Sequence, residues 1–184
     1  MGRVEMRTIQ KIPIRQIDLT DETFSVNFMS DLKNLRSSIE QIGLIQPVLL
    51  RETEKGYQII YGFRRVLIFH ERGIPDIESR VLGKAETDDL KWFSISLHEN
   101  LTTRGFNAIE KAIALNKLVH FFQIDPAVVV KAFLPLFSLE QNEKILNTYL
   151  SLARMEDEVK KYVWTEGVSR SNIFFYFILH SSKG

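Results

Sequence analysis

Two arginines follow a glycine in the segment Gly62-Phe63-Arg64-Arg65, where a strand-like run passes into a helix-like run. Glycine permits a sharp turn and a close approach of the backbone to a ligand. A helix that begins at this point presents unpaired N–H groups and the positive end of its dipole to an anion. Each guanidinium adds five N–H donors in a planar fork. The segment therefore predicts a site for phosphate groups or for a nucleic-acid backbone.

A carboxylate and an amide, Glu99 and Asn100, lie at the end of a later predicted helix, and Glu110 follows in the next one. Carboxylate and amide oxygens suit Mg²⁺, which proteins usually hold through one or two carboxylates together with substrate phosphates. An acid and an amide close to the arginine pair would allow a metal to bridge the phosphates that the arginines hold. The sequence therefore predicts a metal-assisted phosphate site.

A plain structural interpretation of the same residues stays open. Glu99 and Asn100 form a common dipeptide and would then be solvated at a helix end. Arg64 and Arg65 would be solvated, or paired with carboxylates such as Glu71 or Glu99.

The overall charge gives no sign of a nucleic-acid partner. The 184 residues include 24 Lys and Arg against 23 Asp and Glu, a net charge of +1. Any phosphate recognition must therefore depend on a few positioned residues. The chain has no cysteine, which excludes disulfides, thiolate nucleophiles and cysteine-built zinc sites. No apolar run approaches the ~20 residues of a membrane helix, and this predicts a cytoplasmic protein without a membrane partner.

The predicted elements divide the chain into two domains. Residues 1–104 mix strands with helices, which predicts an α+β domain: a strand at 12–17, a helix that ends at Gly43, a hairpin over 47–61, a helix at 63–72, a strand at 77–82 and a helix at 88–101. Residues 105–184 are predicted to be all helical. Capping boxes at Asn107 and Ser138, a helix start at Asp125-Pro126 and helices at about 156–164 and 172–179 support this prediction.

An aromatic run, Phe174-Phe175-Tyr176-Phe177, lies near the end of the chain. Such a run in a helix is typical of a core or of a face that binds a partner protein. A platform for base stacking is the alternative.

The order and spacing of several short motifs resemble the ParB family of partition proteins over about residues 10–170. The motifs are Ile12-Pro13, Leu35 with Ser38-Ile39, Gly43-Leu44-Ile45-Gln46-Pro47-Val48, Gly62 with Arg64-Arg65, Glu99-Asn100-Leu101, and Asn107 with Ile109-Glu110 and Ala112. The resemblance implies an N-terminal ParB/sulfiredoxin-like α+β domain, then a helical domain with a helix-turn-helix.

Many members of this family bind CTP with Mg²⁺ in the first domain and close as a clamp on DNA. The resemblance implies a set of nucleotide-binding residues: Gly43 and Gln46 in a closing loop, Gly62, Arg64 and Arg65 at the triphosphate, and Glu99 and Asn100 at the metal. Phe63, Leu67 and Thr103 stand where the family usually has one glutamate and two arginines. These three missing polar groups predict weakened CTP binding and turnover, or a changed ligand preference.

The implied helix-turn-helix brings Gln141, Asn142 and Lys144 to DNA, because a recognition helix leads with basic and amide side chains. Glu140 and Glu143 lie beside them, and residues 120–154 hold three Lys or Arg against three Asp or Glu. A weakened DNA site is expected.

The leading hypothesis is a ParB-like DNA-partition or DNA-binding protein, which acts as a CTP- and Mg²⁺-dependent switch or clamp with weakened sites. One alternative is a protein-interaction module that has lost both sites and binds a partner, or a second copy of itself, through the helical domain. The other is an enzyme of the same fold, a nuclease or phosphotransferase with Glu99 or Glu110 as general base, or a weak CTPase.

Overall fold

The computed structural model describes residues 8–29 and 31–165. The chain separates into two compact units, Met1–Glu99 and Asn100–Gly184. The sequence predicts its boundary slightly later, between residues 104 and 105, and this position stays a prediction. The predicted helix at 172–179 and the aromatic run at 174–177 lie outside the described residues.

A five-stranded mixed sheet with the order β1-β5-β3-β4-β2 forms the first unit. Its strands are β1 (Gln10–Pro13), β2 (Ile17–Asp18), β3 (Val48–Thr53), β4 (Gly56–Tyr61) and β5 (Asp76–Leu82). Strands β3 and β4 form the predicted antiparallel hairpin, and β5 runs parallel to β3. The helices are α1 (Lys33–Ile42), α2 (Phe63–Glu71) and α3 (Asp89–Thr103), the last of which begins in this unit. The α+β class is confirmed.

The core of the first unit lies between the sheet and its helices. Ile39 of α1 and Val66 and Phe69 of α2 are buried together with apolar residues of the central strands, among them Leu50 and Ile59. Burial of a side chain of this size contributes about 1.5–3 kcal/mol. On the outer side of the helices, two ion pairs, Arg36 with Glu71 and Arg72 with Glu40, join α1 to α2.

The prediction of one strand over residues 12–17 is wrong. A 3₁₀ turn at Ile14–Gln16 separates β1 from β2, and the backbone N–H of Ile14 donates to the carbonyl of Pro75 at 2.8 Å. The chain thereby passes from one edge of the sheet, at β1, to the other, at β2. The apolar alternation is the same on both sides of the turn, so the pattern alone does not reveal the change of partner strand.

Residues 100–165, the described part of the second unit, are mainly helical, as predicted for them. After the last residues of α3 this part contains α4 (Ala108–Asn116), α5 (Pro126–Val128), α6 (Glu143–Ala153) and α7 (Asp157–Thr165). Both α4 and α5 continue into wide π-helical turns, at Lys117–Phe121 and Val129–Phe133. Helix α4 packs against α6 and α7, and a set of buried apolar side chains fills the space around it: Leu115, Leu118, Val129, Leu134, Leu146 and Leu152.

Two of the three predicted helix starts are confirmed. Asn107 and Glu110 form the reciprocal capping box of α4, and the Asp125 carboxylate accepts from the N–H of Ala127 at 2.7 Å. The start at Ser138 is wrong, because Ser138 has left-handed angles (φ 57°, ψ 39°). The N–H of the next residue still donates to Leu134, so this segment continues the preceding turn. Helix α6 begins later, with Asn142 as its cap.

Within residues 8–29 and 31–165, no helix has both the length and the apolar character needed to cross a bilayer.

The capping box of α4 yields a stability prediction. Glu110 is only 1% exposed; its carboxylate accepts from the Arg104 guanidinium at 2.7 Å and from the Asn107 N–H at 3.2 Å. Because Glu110→Ala removes the charge partner and one half of the box, we expect the free energy of unfolding of the second unit to fall by about 2–4 kcal/mol. Urea unfolding followed by circular dichroism measures this change.

The matched control is Asp157→Ala, since Asp157 is 74% exposed in its ion pair with Lys160. An exposed pair contributes less than ~1 kcal/mol. Equal losses for the two variants would contradict a special role of Glu110.

Candidate functional site

Helix α2 begins at a glycine that has no room for a side chain. Gly62 is the N-terminal cap of α2 with left-handed angles (φ 97°, ψ 18°). A Cβ at this position would lie 2.6 Å from Cγ1 of Val48 in β3. The first turn of α2 contains no acidic residue, so no carboxylate of this turn offsets the positive end of the helix dipole.

Arg65 connects three elements of the first unit. One guanidinium nitrogen, Nη1, donates to the backbone carbonyl of Gln46 at 2.8 Å, and Nη2 donates to Oε1 of Glu99 at 2.8 Å. The Arg65 and Glu99 side chains are only 12% and 19% exposed. The guanidinium of Arg65 thus connects the start of α2 with the loop at 43–47 and with Glu99, the last residue of α3 in the first unit.

The first residue of α3, Asp89, is attached to the sheet. Arg51 of β3 donates to the Asp89 carboxylate at 2.5 Å and, through Nε, to the side-chain oxygen of Gln58 in β4 at 3.0 Å. Gln58 donates in turn to Asp21 at 2.6 Å. Since these bonds fix the first residue of α3 on the strands, they help to place Glu99 about 15 Å further along the helix.

The structure brings part of the predicted nucleotide site together. Gln46, Gly62, Arg65 and Glu99 are neighbours. Arg64 is half-buried on α2, but consecutive helical residues project about 100° apart, so its side chain leaves the helix in a different direction from that of Arg65. Gly43 ends α1 with φ 77° and is exposed.

Asn100 begins the second unit, and its amide has an internal partner. Its Oδ1 accepts from Nε of Arg104 at 3.1 Å, and the same guanidinium donates to Glu110 and lies 5.5 Å from the ring centre of Phe106. Arg104 directly follows Thr103, the position at which the resemblance implies an arginine. In the structure it links the end of α3 to the start of α4.

Tyr61 is a further member of the cluster that the sequence analysis missed. It is the last residue of β4, directly before Gly62, and its ring centre lies 6.0 Å from Cζ of Arg65. Burial raises the pKa of its hydroxyl, and the charge of Glu99 raises it further, while Arg65 and Arg80 act in the opposite direction. Alternation along the strand indicates that Tyr61 and Ile60 face opposite sides, but it does not show which side carries the site.

A metal could enter this cluster only together with ligand oxygens. Among residues 8–29 and 31–165, no three His, Cys, Asp or Glu side chains group in a way that could hold a metal ion. Glu99 offers one hard carboxylate, and Asn100 offers an amide oxygen that Arg104 engages. The Glu99 carboxylate by itself fits Mg²⁺ in its usual form, bound through one or two carboxylates and the phosphates of a substrate.

The predicted DNA-binding residues surround the start of α6. Gln141 is exposed and donates to the carbonyl of Lys131 at 3.1 Å. The Asn142 side chain caps the helix at the N–H of Lys144, at 2.8 Å, and the Lys144 side chain is exposed. Both amides thus have structural contacts, and each keeps further hydrogen-bonding capacity.

Comparison with known proteins agrees with this architecture. A family model described as the ParB N-terminal domain matches residues 2–101. A chromosome-partitioning protein ParB of Myxococcus xanthus is 31% identical over 117 residues, which are 63% of this chain and 38% of that protein. The chain thus spans well under two thirds of that relative's length.

Two solved structures are also similar. The structure of a Pnob8-like ParB-N domain matches with a TM-score of 0.51 at 15% identity, over 71% of this chain and 52% of that one, which supports the fold. A C-terminally truncated ParB from Caulobacter crescentus, complexed with CTP-γ-S, matches 91% of this chain and 90% of that one, with a TM-score of 0.42 and 23% identity.

The contact between Gly62 and Val48 yields a second prediction. Gly62→Ala adds a methyl group at 2.6 Å from a valine carbon and forces left-handed angles on an alanine. We expect a loss of about 2–4 kcal/mol of unfolding free energy in the first unit. In a Trp164→Phe background, fluorescence of the fully buried Trp92 follows the unfolding of that unit in urea.

Gly73→Ala is the control for the backbone term alone, because Gly73 has φ 64° and nothing within 4 Å of an added Cβ. It should cost about 1 kcal/mol. If Gly62→Ala lowers the unfolding free energy by no more than Gly73→Ala does, the overlap with Val48 is relieved without a free-energy cost, and the prediction is wrong.

Proposed function

Since the chain belongs to the ParB family by the match of its residues 2–101, we propose that its first unit binds a nucleoside triphosphate, CTP, and that its second unit binds DNA. The position of Arg65 carries the nucleotide part of the proposal. This arginine lies in the first turn of a helix that has a glycine cap and no acid in that turn. An anion placed there meets both a guanidinium fork and the N–H end of a helix.

Different residues of the first unit contact different parts of the nucleotide. Arg65 contacts phosphate oxygens through the N–H donors of its guanidinium. Gly62 lets the backbone N–H groups of α2 come close to the same phosphates. The loop at 43–47 covers the nucleotide, and the bond from Arg65 to the Gln46 carbonyl links this loop to the phosphate site. Gly43 supplies the turn from which the loop departs.

Glu99 and Asn100 complete the proposed site at a bound Mg²⁺, which supplies charge neutralisation of the triphosphate. Glu99 would hold the metal through its carboxylate, and Asn100 through its amide oxygen. Arg64 lies next to Arg65 in the first turn of α2 and would supply a second guanidinium only if its side chain reorients toward the phosphates. Phe63, Leu67 and Thr103 lack the polar groups that the family usually has at these positions, so we expect weaker binding than a complete set of residues would give.

DNA binding is proposed for the start of α6. Lys144 supplies a phosphate contact, and Gln141 and Asn142 supply amide groups for base edges. Glu140 and Glu143 flank them and oppose phosphate, so the contribution of this element to affinity is small. A partition role, with DNA affinity that responds to CTP, follows from the two parts together.

The nucleotide proposal is tested by calorimetry on the full chain with CTP and MgCl₂. Arg65→Ala should weaken CTP binding by about 10- to 100-fold, because a charge-assisted hydrogen bond to phosphate is lost. Arg72→Ala is the matched control, since Arg72 follows the other end of α2 and pairs with Glu40; its affinity should equal that of the wild type.

Unchanged affinity in Arg65→Ala, or no binding by the wild type, would contradict the nucleotide proposal. Titrations with ATP, GTP and UTP under the same conditions test the base. Equal affinity for all four nucleotides would restrict the proposal to the triphosphate.

The DNA proposal is tested by fluorescence anisotropy of a labelled short duplex over a range of salt concentrations. Because each phosphate contact releases counterions, Lys144→Ala should reduce the slope of log K against log salt by about one. Lys84→Ala, an exposed lysine of the first unit paired with Glu54, should leave the slope unchanged. Absence of binding at low salt would instead favour the protein-interaction module, and the same titrations with CTP present test the switch.

A further inference from the structure

The guanidinium that the proposed nucleotide site depends on already holds a carboxylate. Nη2 of Arg65 donates to Glu99 at 2.8 Å and Nη1 donates to the Gln46 carbonyl at 2.8 Å. A carboxylate is the planar, bidentate-capable anion that most resembles one face of a phosphate to a guanidinium. Glu99 therefore occupies the position at Arg65 that an incoming phosphate oxygen would need.

The charges of the two groups cancel. Arg65 and Glu99 are 12% and 19% exposed, so water screens them less than it screens a surface pair. As long as they remain together, the pair presents no net positive charge to a free anion. A phosphate that approaches Arg65 also approaches the Glu99 carboxylate, and like charges at close range cost several kcal/mol.

The neighbouring phenol shows that the Glu99 charge acts locally. Tyr61 is half-buried, and the pKa of its hydroxyl is raised first by burial and then by Glu99. Arg65 and Arg80 reduce this rise without abolishing it.

We infer that Glu99 is an internal competitor for Arg65, which makes this site selective for a metal-complexed polyphosphate over the free anion. The inference rests on the proposed nucleotide binding and specifies the ionic form of the ligand. A divalent cation on the polyphosphate attracts the Glu99 carboxylate, a hard oxygen ligand. Glu99 then leaves Arg65, and the freed Nη2 donor contacts phosphate. An anion without the cation has no positive charge that attracts the Glu99 carboxylate. It must therefore displace Glu99 from Arg65.

Glu99→Gln tests this exchange, because the amide keeps the size of the side chain and removes its charge. The probe is inorganic tripolyphosphate, titrated by calorimetry into the full chain with either EDTA or MgCl₂, and CTP is titrated in parallel. The wild type should bind tripolyphosphate more tightly with MgCl₂ than with EDTA. In EDTA, Glu99→Gln should bind it about tenfold more tightly than the wild type does, and Mg²⁺ should no longer improve its affinity.

Two further variants make the result specific to the pair. Glu71→Gln removes an equivalent carboxylate from an arginine pair of the same unit, Arg36 with Glu71, and should behave as the wild type does in both buffers. The double variant Arg65→Ala, Glu99→Gln should lose the gain in EDTA, because the gain requires the freed guanidinium. Circular dichroism of each variant confirms that the fold is kept.

The outcomes separate the inference from the proposed function. Equal binding of tripolyphosphate by the wild type with and without Mg²⁺, or weaker binding by Glu99→Gln in both buffers, would overturn the competitor role and leave CTP binding intact. A gain of affinity in Glu99→Gln, combined with no binding of CTP by the wild type in MgCl₂, would support the competitor role and reject CTP as the ligand. Failure of every variant to bind either probe would overturn both.

Discussion

The contact between Arg65 and Glu99 is the interaction on which the candidate site depends. It lies where the helix that follows the glycine corner meets the last residues of α3 in the first unit, and it also holds the backbone of the loop at 43–47. A half-buried ion pair is weak support for stability, because desolvation offsets much of its Coulomb energy. Its value here is positional, since one guanidinium relates three segments that are far apart in the sequence.

Packing beneath the pair constrains it equally. Val48 begins β3 and lies directly under the glycine at the start of α2, so close that a Cβ on that glycine would overlap it. Further along β3, Arg51 holds the first residue of α3 through Asp89. Strand β3 thus positions both helices that carry the site, one by close contact at its beginning and the other by an ion pair near its end.

The second unit uses polar groups differently. Around the start of α4, the buried Glu110 carboxylate accepts from the Arg104 guanidinium and from the Asn107 N–H, and the Asn107 side-chain oxygen accepts from the Glu110 N–H. The Asn100 side-chain oxygen also accepts from Arg104. Near the start of α6, amide side chains serve as a cap and as a contact to the preceding turn. Residues 120–154 have balanced charges and engaged amides, which gives this region little long-range attraction for DNA.

The sequence by itself determined those elements that depend on strong local signals, such as glycines at helix ends, turn residues and capping residues. Gly43 marks the end of α1 and Gly62 the start of α2, because positive φ favours glycine. The hairpin follows from two apolar runs on either side of Lys55-Gly56. The capping box at Asn107 follows from the spacing of Asn107 and Glu110. Arg65 and Glu99 were predicted as site residues from their chemistry; the structure shows that their side chains are in contact, and their role stays a prediction. Ser138 shows the limit of such patterns, since a Ser-x-x-Gln spacing satisfies a capping rule while the N–H of Leu139 bonds back to the Leu134 carbonyl and the chain stays in a turn.

Only the tertiary structure decided how these residues are used. The apolar alternation of residues 12–17 does not predict the turn between β1 and β2, which lie at opposite edges of the sheet. The partner of each strand is a segment far away in the sequence, and local alternation carries no information about it. Sequence chemistry left open whether Arg65 is solvated, paired with Glu71 or paired with Glu99, and the fold selected Glu99 while Glu71 pairs with Arg36. The physical reason is that residue types fix what a side chain can bind, whereas the packing of strands and helices fixes which partner lies within reach.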